Sequence, residues 1–449
     1  MRFRLALVAV AGLGLLTLLM VAQSPPNDAV IDRALADIRA DGLRAHINFL
    51  ADDLLEGRGT GTRGYQLAAN YVAAQFETFG LEPAGSEGYL QPIRFRHSQA
   101  DRQSSSLVLV REDGELGLAY GDDFIADDDL LREESAVTAP LVFVGFGVSA
   151  PALDYDDYAG VDARGKIVVL LPGAPSAFPS SERAHFSSGS VKRSNAVAHG
   201  AVGVLVLWSP EMERRFPWKT FGRFARRGSM TWLDEKGEAF NTFPTLRALA
   251  VLSRPGAEKL FAGAPRSLEE AFSLEEGQRV PAFDLPASAR VRVLSEHKEL
   301  ESPNVVARLR GSDPRLRDEY VVYTAHLDHE GLGEPDETGD TIYNGAVDNA
   351  SGIAALLEIA RAFAGLQPAP RRSVLFIATA GEEEGLLGAE YFAHHPTVSG
   401  EALVANINCD GNLMLYPPAD VIAYGAEHST LGGTVEQAAA RLGLEVSPD

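Results

Sequence analysis

FIATAGEEEGLLGAEYF, residues 376–392, begins as an apolar run and empties into three successive glutamates, Glu382, Glu383 and Glu384. The run up to Ala380 reads as an interior strand, and a helix is expected from about Gly385. Three carboxylates at the end of a buried element oppose one another's ionisation, so a compensating charge is expected beside them.

The same arrangement recurs on both sides. YVVYTA runs into His326-Leu327-Asp328, and LVANIN runs into Cys409-Asp410. Asp348-Asn349 stands in the loop before the helix SGIAALLEIARAFAG, whose Ile353, Leu356, Leu357, Ala360 and Phe363 form one apolar stripe. Val-, Ile- and Leu-rich strands alternating with amphipathic helices imply an α/β fold, with a mostly parallel mixed sheet flanked by helices. In such a sheet the ligand lies beyond the carboxyl ends of the strands. Acids and one histidine are thus delivered to a single edge.

A bound cation removes the conflict. One imidazole with several carboxylates suits zinc, whereas calcium and magnesium take oxygen ligands and His326 argues against them. The acids also outnumber what one zinc needs. Two ions about 3.5–4 Å apart, bridged by a carboxylate, would use the surplus and hold a hydroxide nucleophile between them. Asp348, on a loop instead of a fixed strand end, suits the bridge. Asp328, two residues beyond His326 and so on the same strand face, suits a partner that orients its ring. Plainer roles exist for each residue alone: Asp348 and Asn349 as a helix cap, a glutamate at a helix start, Cys409 as a small buried side chain. They do not explain why all these acids meet in one α/β unit. His329, His394, His395 and His428 lack such a setting and read as surface or packing residues.

The chain has 449 residues, with 62 acidic against 40 basic side chains and a net charge of −22. That length implies two or three units, and that charge disfavours nucleic acid. Cys409 is the single cysteine, so no internal disulfide and no Cys-built metal site can form. Residues 1–24 carry Arg2 and Arg4 and then an uncharged run from Leu5 to Ala22, which reads as an export signal or a membrane anchor through residues 5–22. The remainder would be periplasmic or secreted.

Residues 29–128 begin with two helical patterns joined by EGRGTGTRG (56–64), which lacks the lysine and spacing of a phosphate loop and reads as a connection. The acidic DDFIADDDLLREES (122–135) reads as a solvated boundary. Residues 129–286 read as a compact β-rich module, carrying LVFVGFGV, GKIVVLL and NAVAHGAVGVLVLW. They also hold RRFPWKTFGRFARRG (214–228), basic and aromatic, read as a surface loop in preference to a substrate-facing lid. Residues 287–449 form the unit with the acidic strand ends.

HLDHEG, GDTIYNGAVDNASGIA, EEEGLLGAEYF and NINCD, in that order, resemble the M28 family of zinc aminopeptidases. The early segment IRADGLRAHINFLADDLLEGRGTGTRGYQLAANYVAAQFETFGLEPAG resembles exported bacterial members, and residues 129–286 resemble the protease-associated (PA) domain inserted in many of them. The resemblance implies a zinc-exopeptidase fold, two zinc ions, and peptide substrates with a free N-terminus. His326 would bind one zinc, Asp348 would bridge, Glu383 would complete the first ion's ligands and Asp410 would bind the second. Glu382 would be the general base acting on the bridging water, Asp328 an orienting acid, and Glu384 a variable position, exposed in the first turn of the next helix. The family's second zinc takes a further histidine from a later segment, which nothing here matches. The chain therefore reads as C-terminally incomplete, and inactive unless that histidine is supplied. The resemblance extends to carboxypeptidases or dipeptidases and glutaminyl cyclases on the same scaffold, and to transferrin-receptor-like binding proteins without metal. The cyclases lack a PA domain, and the receptors lack the ligands present here.

Overall fold

The computed structural model describes residues 28–277, 280–335, 338–411 and 417–448; the expected leader, residues 1–24, lies outside them. Its spine is one 27-residue strand, Phe283–Leu309, shared by two lobes. In the first lobe the spine pairs antiparallel with Leu90–Ala100 and Ser373–Thr379. Tyr320–His326 then runs parallel to Ser373–Thr379, and Leu403–Asn408 runs parallel to Tyr320–His326. In the second lobe Glu134–Phe143 pairs antiparallel with the spine. Ile167–Leu170, Gly203–Leu207 and Ala248–Leu252 follow in parallel, and Phe124–Ala126 closes that edge antiparallel. The architecture is the expected mixed α/β sheet flanked by helices.

The apolar runs become strands because both faces are covered. Every residue of Ser373–Thr379 is buried. Val374, Phe376 and Ala378 face a core with Tyr65, Phe76, Ile353 and Leu357, while Leu375 and Ile377 face another with Val306, Val322 and Phe392. The stripe on the helix Ser351–Ala364 is buried at Ile353, Leu356, Leu357 and Ala360, as its spacing requires. No helix among the described residues is long and apolar enough to cross a membrane.

The lobes are more interleaved than composition suggests. Position 286 falls inside the spine strand, next to a register shift between Asp284 and Ser288. Ser106–Arg111 and Phe124–Ala126, counted in sequence with the first unit, place Leu107, Leu109 and Phe124 in the second lobe's core. Conversely, Ser229–Trp232 pairs with Leu90–Ala100 and puts Met230 and Trp232 into the first lobe's core. Short β runs do not announce which sheet they join. The acidic stretch 122–135 is also not simply solvated: Asp123 and Asp128 are buried, Asp123 against Lys259.

Residues 214–228 are no loose loop. They contribute to the helices Pro210–Arg215 and Trp218–Phe224, and Trp218 and Phe221 pack on Trp208. Their end turns toward the first lobe, where Arg227 pairs with Glu330 and stands over the Tyr343 ring at 5.6 Å.

Candidate metal centre

The strand Tyr320–His326 ends with His326 almost wholly buried. Asp348 follows in a short non-helical stretch before the helix Ser351–Ala364, and Asp410 follows the strand Leu403–Asn408. Asn349 ties these pieces together. Its Nδ2 donates to the Cys409 carbonyl at 2.9 Å, and its Oδ1 accepts from the Gly352 amide at 2.9 Å. A Cβ on Gly352 would collide with both the Asn349 side chain and the Cys409 carbonyl, so the helix start can approach the Asp410 strand this closely only with glycine there.

His326 Nε2 lies 2.9 Å from Asp348 Oδ1 and 3.4 Å from Asp410 Oδ1. Two donors on a tetrahedral ion with bonds of about 2.0–2.1 Å stand roughly 3.3 Å apart, so these separations fit a shared cation. Among the described residues the buried Nε2 has no hydrogen-bond partner in spite of the nearby oxygens, which leaves its lone pair or proton unsatisfied. Burial opposes the His326 imidazolium, but Asp328, Glu382, Asp410 and Asp348 together hold its pKa above the ordinary value. The set fits a divalent metal of the zinc type, with one imidazole and carboxylates.

Glu383 does not stand with His326, as the sequence reading has it. The group that could hold one ion is His326, Asp348 and Asp410; a second is His329, Asp348 and Glu383. Asp348 is common to both. His329, read as a surface or packing residue, instead belongs to the site: its Nδ1 is 2.6 Å from Glu383 Oε1. Burial pushes the Glu383 carboxyl up, but the bond from His329 brings it below its usual range. A second histidine three residues after the first, HLDH, was the available signal. His394 and His395 pack against Trp232, as expected.

Asp328 is fully buried, but its carboxylate does not orient His326. The two approach only to 3.8 Å, and His326 Nδ1 faces the Asp328 backbone carbonyl at 3.1 Å instead. The strand stops at His326, so the two-residue period no longer applies at Asp328. The carboxylate turns to the glutamates and accepts the amides of Glu382 and Glu383 at 3.1 and 3.2 Å. Burial raises its pKa, opposed by His326 and these amides. Glu382 Oε2 faces His326 Nε2 at 3.9 Å. Burial raises the Glu382 pKa, with the Asp328, Glu383 and Asp410 charges adding to it against the pull of His326.

The three glutamates lie in a tight turn, not a helix, in which Gly385 and Leu386 donate to the Glu382 carbonyl; the helix begins at Leu387. Glu384 is accordingly not exposed in a first helical turn. It is half-buried, and burial pushes its carboxyl up to about 7, with Asp328, Glu383 and Asp128 adding to the rise and Arg227 opposing it.

Arg58, inside the glycine-rich connection, was not singled out from sequence. Glu56, Gly57 and Arg58 have positive φ, and that winding drives the Arg58 side chain inward until it is 1% exposed. Its Nε donates to Leu327 O at 2.9 Å, Nη1 to Asn344 O at 2.7 Å and to Leu50 O, and Nη2 to Gly345 O at 2.9 Å. One guanidinium thus fixes the chain just before Asp328 and before Asp348. Burial lowers its pKa to about 10, against the support of Asp328, Asp348 and Glu383.

Residues 304–449 match the family model described as Peptidase family M28. A "Probable zinc metalloprotease" of Pyrenophora teres f. teres is 44% identical over 107 residues, 24% of this chain and 22% of that protein. "Aminopeptidase NAALADL1" of Mus musculus is 36% identical over 139 residues, 29% of this chain and 16% of that protein. The chain therefore spans less than a quarter of the length of these curated relatives. Among solved structures, an aminopeptidase from Aneurinibacillus sp. strain AM-1 has a TM-score of 0.54 at 20% identity, over 93% of this chain and 82% of that one. The chain thus shares the mixed α/β fold of that solved structure, and its sequence likeness to Peptidase family M28 is carried by residues 304–449, where the acidic strand ends lie.

Proposed function

We propose that the chain is an exported di-zinc exopeptidase that cleaves the N-terminal residue from peptides. The observation that carries this reading is the pair of three-residue groups sharing Asp348, with an orphaned buried imidazole nitrogen in one of them. His326, Asp348 and Asp410 would hold one ion; Asp348 and Glu383 would hold the other, with His329 the nearest nitrogen donor to Glu383. Bound zinc would polarise the scissile carbonyl and acidify the attacking water.

The remaining steps fall to the chain's own groups. Glu382 stands at the edge of the His326 group without being part of it, and its raised pKa suits a group that takes a proton from water at its carboxylate and returns it to the departing amine. Asp328 holds the Glu382–Glu383 turn through the two backbone amides, fixing the base relative to the ligands. Residues 129–286 supply most of the second lobe, in the manner of an inserted PA domain, and their Arg227 reaches the first lobe at Glu330, next to His329.

Hydrolysis of aminoacyl anilides by purified protein, with and without a chelator, tests the reading. Zinc-dependent release of the anilide is expected, and Glu382→Ala is expected to lose it while keeping bound zinc. Full activity in Glu382→Ala would sink the base assignment. Zinc-free protein that turns over anilides, or protein that binds no zinc at all, would sink the peptidase reading.

A further inference from the structure

A cavity of about 450 Å³ lies between the lobes and shares Glu383 with the candidate metal centre. Its walls are apolar at Met230, Phe240, Phe243 and Leu246. Its charged groups are almost all committed. Asp127 takes Arg193 at 2.8 Å, Asp129 takes Arg132 at 2.8 Å, Glu390 accepts Trp232 Nε1 at 3.1 Å, and Glu383 takes His329. Arg247, the other cation on the wall, is exposed to solvent.

Two carboxylates are left over. Asp128 is 9% exposed; its Oδ1 accepts from Ser229 at 3.0 Å, but Oδ2 is buried with no hydrogen-bond partner within bonding distance among the described residues. The nearby Ser98 hydroxyl donates to the Asp129 carbonyl at 3.2 Å and also favours the ionised Asp128 carboxyl, against the rise that burial imposes on it. Glu384 also lines the cavity, half-buried, and among the described residues neither a hydrogen bond nor an ion pair engages its carboxylate. Arg227, whose charge reaches it, is paired with Glu330. A buried carboxylate oxygen without a donor is costly, and a second unpaired carboxylate near it adds repulsion.

We propose that this cavity receives the cationic side chain of a lysine or arginine flanking the cleaved bond, with Asp128 and Glu384 as its counter-charges. The apolar walls suit the methylene stem of such a side chain and the carboxylates its charged end. The inference rests on the exopeptidase reading and specifies its substrate class.

The test compares kcat/KM for lysyl, arginyl and leucyl anilides, which place the side chain first, and for alanyl-lysine and alanyl-leucine, which place it second. In the zinc-loaded protein a preference for the basic member is expected in one of these two series. In Glu384→Gln and in Asp128→Asn the basic-to-leucine ratio is expected to fall roughly tenfold to a hundredfold, the range for losing a hydrogen bond to a charged group. Absence of basic preference in both series, or an unchanged ratio in both variants, would overturn the proposal. A second arm needs no substitution: calorimetry of lysine amide against norleucine amide and of alanyl-lysine amide against alanyl-norleucine amide, each pair differing by the terminal ammonium. Tighter binding of the lysine member in either pair supports the pocket and equal binding in both overturns it, even if no peptide bond is cleaved, the outcome that would count against the exopeptidase reading instead.

Discussion

Replacing Arg58 by methionine keeps much of the side-chain volume and removes the fork that ties the connection to the site. The substitution leaves four backbone carbonyls, of Leu50, Leu327, Asn344 and Gly345, without their donor. Each bond to a charged donor is worth roughly 1.5–3 kcal/mol, so four counted separately exceed what one substitution normally costs. Relaxation and water entry reduce this to about 3–5 kcal/mol, the range found when one partner of a buried charged network is removed. The cost has a second component. Arg58 lies near Asp328, Asp348 and Glu383, and without it these carboxylates repel one another with less compensation until a cation binds. Chemical denaturation of the metal-free protein should show a lower midpoint with an unchanged slope, and competition with a chromophoric chelator should show weaker zinc binding because the Asp348 loop has lost its tie. Arg58→Met with both an unaltered midpoint and unaltered zinc affinity would refute the anchoring role.

Three further outcomes follow from particular contacts. Asp328→Asn keeps the shape but leaves only one oxygen for the two amides of Glu382 and Glu383, so kcat should fall more than zinc affinity does; equal losses, or none, would show that the turn does not depend on the carboxylate. Gly352→Ala should destabilise the protein and weaken zinc binding together, because the added Cβ pushes the Asp348 loop away from the Asp410 strand; a variant with wild-type melting and wild-type zinc affinity would contradict it. Lys192 is buried against the carbonyls of Phe146, Leu171 and Gly173, and burial lowers its pKa from 10.5 to about 7, only partly opposed by Asp157. Between those pH values the unfolded chain holds the proton that the folded chain has released. Stability should therefore rise with pH across that window by up to about 1.4 kcal/mol per unit, relative to Lys192→Met; parallel stability–pH curves would exclude this.

The sheet and the gathering of acids at one edge of it were legible in sequence because both depend on short-range pattern. Val, Ile and Leu runs with amphipathic helices between them force covered strands, and acids at four successive element ends converge once those strands lie side by side. Other features depend on where the chain turns. Arg58 gives no periodic signal; its burial comes from three residues of left-handed backbone in a stretch that looks like a plain linker. Asp328 was misdirected because the strand period was extended one step past its end. His329 and Glu384 took on site contacts through tight turns that composition does not encode. The exchange of strands between the lobes was likewise hidden, since Ser106–Arg111 and Ser229–Trp232 are ordinary short β runs whose partners are distant in sequence.

The central claim is that the acidic strand ends meet to hold zinc around Asp348. Calorimetric titration of zinc into metal-free protein tests it most directly, with Asp348→Ala measured alongside His326→Ala and Glu383→Ala. Two bound ions are expected in the wild-type protein, with loss of the His326-dependent ion in His326→Ala, weakening of the other in Glu383→Ala, and weakening of both in Asp348→Ala. Zinc binding that survives Asp348→Ala unchanged would contradict it.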